Sequence, residues 1–285
     1  MQQTVLPDEI VIVDGGSADG TWEKLQTLAR TSAVPVQLKQ QRCNIAAGRN
    51  QAIELTTADI IAASDAGSFP APDWFAEITR PLLNDTGLDV VGGCSVPKIE
   101  NEFQKLIQLL DGPEPAPRTG TEVYPSSRNV AFRRQAWADV GGYPEWLTLT
   151  AEDALFNFEL HQLGKIFSYN AAAIVHWPVR ENAAAYFRML YHYGYGSAEA
   201  RLHARYFWRR TALMLFPPAL LLSKHRFKHF GFRYRKNAAS ARGWLMGWLK
   251  GRTAPANWQR INGILLSPEA QRQRPQTVTC AGAEK

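Results

Sequence analysis

The sequence predicts an α/β fold: a mostly parallel sheet with helices on both faces, followed by a basic helical C-terminal region. Three observations carry this. Short apolar, β-branched runs alternate with helix-like stretches through the first two-thirds of the chain, the pattern of strands buried on both faces. At 285 residues, 45% hydrophobic and 20% charged, the composition is that of a globular protein with one large domain, or one domain and an appended region. Charge is divided along the chain: Arg201 to Pro268 holds fourteen Lys or Arg and no Asp or Glu, so a total of +6 leaves the remainder at −8. That division predicts an anionic partner for the C-terminal region, either nucleic acid or a membrane surface. No nucleic-acid module is legible there, so no nucleic-acid partner is expected.

Each element follows from local chemistry. Glu9 to Val13 is a strand, broken by Asp14-Gly15-Gly16-Ser17, and Asp19 to Arg30 is a helix. Val34 to Lys39 and Ile45 to Leu55 repeat the pair. Asp59 to Ala63 is a third strand, stopped by Ser64-Asp65-Ala66-Gly67-Ser68. Pro72 sits near the start of the next helix, where its missing N–H costs little. Leu88 to Val91 is a fourth strand, ending in Gly92-Gly93. The Pro-rich stretch Asp111 to Pro117 cannot continue a helix and reads as a loop within the domain. A strand around Val130-Ala131-Phe132 and a helix over Ala151 to Leu163 follow. These elements place a first domain over 1–196 and a basic, partly apolar helical region over 197–285. Cys43, Cys94 and Cys280 form neither a disulfide framework nor a zinc spacing, and Met1-Gln2-Gln3-Thr4 does not read as a signal peptide. A reducing, cytoplasmic setting is expected.

In open α/β sheets ligands bind beyond the carboxyl ends of strands. Asp14 and Asp65 both stand there, each after an apolar run and each followed by small residues that let a ligand approach the backbone. Either acid alone could be a turn former or helix cap. The pair, with matching flanks, favours a binding site.

Six segments in order carry a resemblance. They are Pro7 to Thr21, containing Val13-Asp14-Gly15-Gly16-Ser17; Gly48-Arg49-Asn50-Gln51-Ala52-Ile53; Ile60 to Ser68, containing Asp65-Ala66-Gly67; Ser127 to Arg134; Gly141-Gly142-Tyr143-Pro144-Glu145; and Ala151-Glu152-Asp153. Over roughly Pro7 to Gly196 the chain resembles family 2 glycosyltransferases. That resemblance implies a Rossmann-like GT-A sheet and transfer of a sugar, with inversion, from a nucleotide-diphosphate donor to a glycan or lipid-linked acceptor.

The resemblance also implies roles. Asp14, with Gly16 and Ser17, faces the donor's base and ribose; Arg49 lies near the nucleotide, where a guanidinium fork suits phosphate. Asp65, with Gly67, contacts the ribose and, through metal, the diphosphate. Asp153 takes the acceptor hydroxyl's proton and Glu152 supports it; the same Thr150-Ala151-Glu152-Asp153 stretch also reads as a helix cap. His176, after the apolar run Ala172 to Val175, helps hold the metal or is a structural histidine. Asn129, Tyr143 and Trp146 are acceptor-side residues, with core packing the alternative for the aromatics.

Two departures from the family pattern stand out. Gly67 replaces the second acid of the Asp-x-Asp motif, which puts dependence on a divalent cation (Mn or Mg) in question. Only Gln2 to Leu6 precedes the Asp14 segment, where relatives carry a first strand and helix, so the native protein is expected to be longer at its amino end, or the sheet to lack a central strand and expose its neighbours' edges. These departures support an alternative reading as a catalytically impaired nucleotide-sugar-binding or membrane-docking protein. Thr211 to Leu222 is apolar but too short to span a bilayer. Its basic flanks and nearby tryptophans suit a helix lying on an anionic membrane, such as the inner face of the cytoplasmic membrane.

Overall fold

The structure, a computed structural model, describes residues 3–111, 124–202, 204–216, 229–261 and 264–273. In chain order its elements are β1 (Ile10–Asp14), α1 (Thr21–Thr31), β2 (Val36–Gln40), α2 (Ile45–Glu54), β3 (Ile60–Ala63), β4 (Phe69–Pro70), α3 (Trp74–Asn84), β5 (Val90–Lys98) and α4 (Glu102–Asp111). There follow β6 (Val130–Arg133), α5 (Arg134–Asp139), α6 (Glu152–Gln162), β7 (Phe167–Pro178), α7 (Ala183–Glu199), α8 (Ala204–Leu215), α9 (Phe230–Lys250), β8 (Gln259–Ile261), β9 (Ile264–Leu266) and α10 (Pro268–Gln273).

The α/β class holds, and so do helices on both faces. Side chains alternate across the sheet because successive Cβ atoms of a strand point to opposite sides. Val90, Val130 and Phe132 go to one face, where they meet Ala136, Phe156 and Leu160 of α5 and α6. Val91 and Ala131 go to the other, against Trp74, Ile78 and Leu82 of α3. The expectation of a mostly parallel sheet holds only in part. β1–β2 and β5–β7 are parallel, but β3–β6, β5–β6 and β4–β7 are antiparallel. The chain leaves β5, forms α4 and re-enters as β6 running back along β5, and an antiparallel return needs no helical crossover.

The five-stranded sheet has the order β3-β6-β5-β7-β4, and β1-β2 forms a separate two-stranded sheet. Among the described residues, β1 pairs only with β2, and β3 only with β6. Ile10 to Val13 are accordingly half-buried rather than enclosed on both faces.

A second correction concerns β5, which does not stop at Gly92-Gly93 but runs to Lys98, with a register irregularity between Gly93 and Cys94. A Cβ at Gly93 would collide with the Asn129 side chain and the Ala173 carbonyl, so glycine here admits close approach rather than ending the strand. The division at 196/197 falls inside α7. The C-terminal region also returns to the first: Leu266 and Ala270 join the core of α5 and α6, and Ser267 N–H donates to Glu159. Residues 112–117 of the Pro-rich stretch, residues 217–222 of the apolar stretch, and Cys280 lie outside the described residues. Cys43 and Cys94 are free thiols.

Glu159 is fully buried; its Oε1 accepts from Ser267 N–H and its Oε2 has no partner. Burial pushes its carboxyl up to about 8. The folded state therefore binds a proton that the unfolded state releases above its ordinary value of 4.5, and stability falls as pH rises from 4.5 towards 8. Glu159→Gln keeps the Ser267 acceptor and removes this titration. Its gain over the wild type should be small at pH 4 and reach up to about 4 kcal/mol by pH 8, read as the difference in denaturant midpoint at the two pH values. A gain independent of pH would show that Glu159 is already ionised in the fold.

Candidate active site

The site assembles where β1, β3, α2 and α6 meet. Asp14, the last residue of β1, is buried. Its carboxylate accepts the Ser17 hydroxyl at 2.6 Å, the Ser17 N–H at 3.2 Å and the Gln40 amide at 2.7 Å. The Ser17 hydroxyl, then the Gln40 amide, hold its pKa below the ordinary carboxylate value. Gly16 and Ser17 are exposed at the surface of this turn, and Gly16 has φ +95°. Gln40 is a partner that sequence reasoning missed, because only the parallel register of β1 and β2 sets Asp14 beside it.

Arg49 ties the remaining acids together. One arm of its guanidinium donates to Asp65 and the other to Glu152, each at 2.6 Å. Its charged form is disfavoured by burial, but Tyr143, Asp65 and Glu152 outweigh that and raise its pKa. Glu152 is buried, and burial, then Asp153, raise its pKa against the pull of Arg49. Asp65 stays partly open, at 38% exposure, and Gly67 follows it with φ +83°.

α2 is held so that Arg49 points this way. Its cap, Asn44, accepts the Ala47 N–H and donates to the Glu145 and Leu147 carbonyls. Asn50, one residue after Arg49, is buried; it donates to Glu145 and to the Tyr143 carbonyl and accepts the Tyr143 and Trp137 N–H groups. The Arg49-Asn50 pair thus sends one side chain to the acids and one to the loop that supports them. The sequence signal for Asn50 was present, since the dipeptide lies within a recognised segment, but its partners are 87 to 95 residues away in sequence.

Glu152 and Asp153 open α6 after Ala151, which has φ +79°. A non-glycine residue in the left-handed region costs about 1 kcal/mol or more and persists only where the surroundings hold it. Here Thr150 does so, donating its hydroxyl to the His192 carbonyl of α7 while Gly196 packs against it. Ala151 at the N-cap has no capping side chain; instead the Asp153 carboxylate accepts the Ala154 N–H at 2.8 Å, so the helix-start reading of Thr150 to Asp153 holds for the acids of the first turn.

Several expected positions take other parts. Asn129 is buried, donates to the Cys94 and Ala173 carbonyls and accepts the Trp74 indole N–H. Tyr143 is buried too, stacked on Phe156 at 4.3 Å beneath Arg49, with its hydroxyl accepting from Ser127 and burial pushing its pKa up to about 12. The expectation that these two face an acceptor is therefore corrected: their polar atoms are spent inside the protein, and of the two Tyr143 lies beneath the Arg49 bridge. Trp146 is half-buried against Trp258. His176 is exposed on β7, its backbone in register with Phe69, four residues beyond Asp65. Among the described residues no group of three or more His, Cys, Asp or Glu could by itself hold a metal.

An acid at the end of each of two strands, an arginine bridging one of them to a helix-opening Glu-Asp pair, and this order in the chain are now placed in one fold. Residues 1–140 match the model described as glycosyl transferase family 2. The chain belongs to that family. This glycosyltransferase also superposes on the mannosyltransferase PcManGT from Pyrobaculum calidifontis, solved in complex with GDP-Man and Mn2+. The likeness has a TM-score of 0.60 at 21% identity and covers 87% of this chain and 81% of that one, which shows the GT-A fold. No curated protein matches the chain. No described helix of this glycosyltransferase is long and apolar enough to cross a membrane.

Proposed function

We propose that the protein transfers a sugar from a nucleoside diphosphate sugar to an acceptor hydroxyl, with inversion at the anomeric carbon. The observation that carries this is the Arg49 bridge, which joins the strand-end acid Asp65 to the Glu152-Asp153 opening of α6. Donor side and base side are thereby neighbours. Asp14 and Ser17 hold the base and ribose end, and Arg49 and Asp65 receive the diphosphate end. Asp153 takes the proton from the acceptor hydroxyl as its oxygen bonds to the anomeric carbon. The bond from that carbon to the diphosphate breaks, and the nucleoside diphosphate leaves with both electrons.

Charge argues for a cation. Asp65, Glu152 and Asp153 against Arg49 alone leave the site formally negative, and a diphosphate adds further negative charge. Oxygen from Asp65 and nitrogen from His176 suit manganese or magnesium only when diphosphate oxygens complete the shell. The residues fit a cation that arrives with the donor, where it would offset the diphosphate's charge. PcManGT, solved with GDP-Man and Mn2+, makes GDP-mannose with manganese the first donor to try. We propose further that the basic region after Gly196 docks on an anionic membrane, at the cytoplasmic face, and that the acceptor is a glycan or lipid-linked. Supporting this, Trp208, Leu215 and Phe216 of α8 and the residue following it are at least 60% exposed among basic residues.

Calorimetry with GDP- and UDP-sugars, with and without manganese, tests the reading. Micromolar binding of one donor should fall at least tenfold, about 1.4 kcal/mol, in Asp65→Ala. Undiminished binding in that variant would remove Asp65 from the donor site.

A further inference from the structure

The turn that leads into α6 is pinned by a buried carboxylate from α7. Glu199, the last residue of that helix, is 3% exposed. Its Oε1 accepts the Thr148 hydroxyl at 2.6 Å and the Arg252 N–H at 2.7 Å, and its Oε2 accepts the Thr148 N–H at 2.9 Å. Nothing local favours an acid there. A carboxylate at a helix C-terminus meets the negative end of the macrodipole, and burying one is costly unless hydrogen bonds replace water. Its donors stand 51 and 53 positions away in sequence, so tertiary structure alone supplies them. Thr148 is an exposed residue that turns both its donors inward to this one side chain.

α7 grips the same turn a second time. The His192 carbonyl accepts the Thr150 hydroxyl at 2.8 Å, and a Cβ at Gly196 would collide with the Thr150 carbonyl. From the other side the Asn44 cap of α2 donates to the Leu147 carbonyl at 3.2 Å. Leu147 to Thr150 are thus held between α2 and α7, and with Asn44 to Ala46 and Glu152 they border a narrow cleft. Directly after them Ala151 takes its left-handed conformation and α6 opens with Glu152 and Asp153. Ala151 has no polar side chain to fix that backbone, so its direction depends on how Thr148 and Thr150 are held.

We infer that Glu199 is a positioning residue for the transfer: by pinning Thr148 it sets the direction in which Ala151 presents Asp153 to the acceptor hydroxyl. The inference rests on the transferase reading of Asp153 and adds to it a residue beyond the matched stretch 1–140. Glu199 acts through the turn and not on the reacting atoms. Only a carboxylate serves all three donors. A glutamine there would turn its NH2 group towards either the Thr148 N–H or the Arg252 N–H. Asp14 and Asp65 belong to the ends of β1 and β3, so the donor's seat does not hang on this turn.

The test reads turnover as release of nucleoside diphosphate from GDP-mannose with manganese, or from the nucleotide sugar that calorimetry selects instead, with water as the acceptor. Donor affinity is measured on the same preparations, below the melting transition of every variant. Glu199→Gln should lower turnover about 10²-fold, the cost of displacing a reacting group by about 1 Å, and change donor affinity by no more than about twofold. Thr148→Val, which loses the hydroxyl, should be slowed about tenfold, and Thr148→Ser, which keeps it, should recover most of that loss. The deciding measurement is the double variant Glu199→Gln with Asp153→Asn. It should be no slower than Asp153→Asn alone, because residues that act as one unit are not additive. A double variant slowed by the product of the two effects would show that Glu199 acts independently of Asp153, and would overturn the inference. So would full turnover in Glu199→Gln, even with a lowered Tm, or a Thr148→Ser as slow as Thr148→Val. If Glu199→Gln fails to bind donor, the Thr148 pair and its combination with Asp153→Asn decide by the same measure. A slow Asp153→Asn beside a fast Glu199→Gln refutes this inference alone, whereas a fast Asp153→Asn, or no donor binding by the wild type, refutes the transferase reading beneath it.

Discussion

Asp153→Asn is expected to lower turnover by about 10²–10⁴-fold, the range of a positioned general base, while leaving nucleotide-sugar affinity unchanged. The amide keeps the size and shape of the carboxylate but cannot accept the acceptor's proton. Asp153 opens α6 beside Glu152, which is committed to Arg49, so no neighbouring carboxylate is free to substitute for it. Initial rates of product formation and calorimetric donor affinity, measured on the same preparation, separate the two effects. A further check is the anomeric configuration of the product by NMR, which should be opposite to that of the donor. Near-normal turnover would reduce Asp153 to a helix-terminus charge, worth only about 0.3–1 kcal/mol of stability.

Arg49→Ala is expected to be the most destabilising of these substitutions. It strips the cation from two carboxylates at once, one of them buried. Removing one partner of a buried ion pair costs about 3–5 kcal/mol, and the partial exposure of Asp65 argues for the lower end, about 3 kcal/mol. For a chain of this size that corresponds to a drop in Tm on the order of 10 °C. The sign of its pH dependence follows. Without Arg49, the folded state favours protonated Glu152, so the variant's deficit should shrink as pH falls from 7 to 4. Thermal melts at the two pH values read this directly. Arg49→Lys keeps one charge but not the fork that reaches both acids, and should fall between wild type and alanine. Pairing Arg49→Ala with Glu152→Gln should recover most of the loss. No recovery would mean that the cost lies in packing of the arginine stem over Tyr143 rather than in charge.

Much of this site was legible in the residues themselves. Asp14 and Asp65 announce their place because an apolar β-branched run followed by an acid and small residues is a strand end, whatever surrounds it. The alternation of Val90 and Val91, or of Val130, Ala131 and Phe132, is likewise local, set by the two-residue period of the strand. What these patterns do not carry is the partner. Tyr143 and Asn129 look the same in sequence whether they face a ligand or the core, and only packing of α2 and α3 against the sheet decides that they are buried.

The sequence by itself determined the α/β class, the strand-end acids, the family resemblance and the separation of an acidic body from a basic C-terminal region. Tertiary structure alone decided that β6 returns antiparallel, that Arg49 spans Asp65 and Glu152 across 103 residues of chain, and that Ser267 comes back to close over Glu159. The division has a physical reason. Secondary structure and turn chemistry arise from backbone geometry and the burial of neighbouring side chains, which act within a few residues. Long-range pairing depends on which faces meet, and the entropy of closing a loop changes so slowly with its length that spacing says almost nothing about partners.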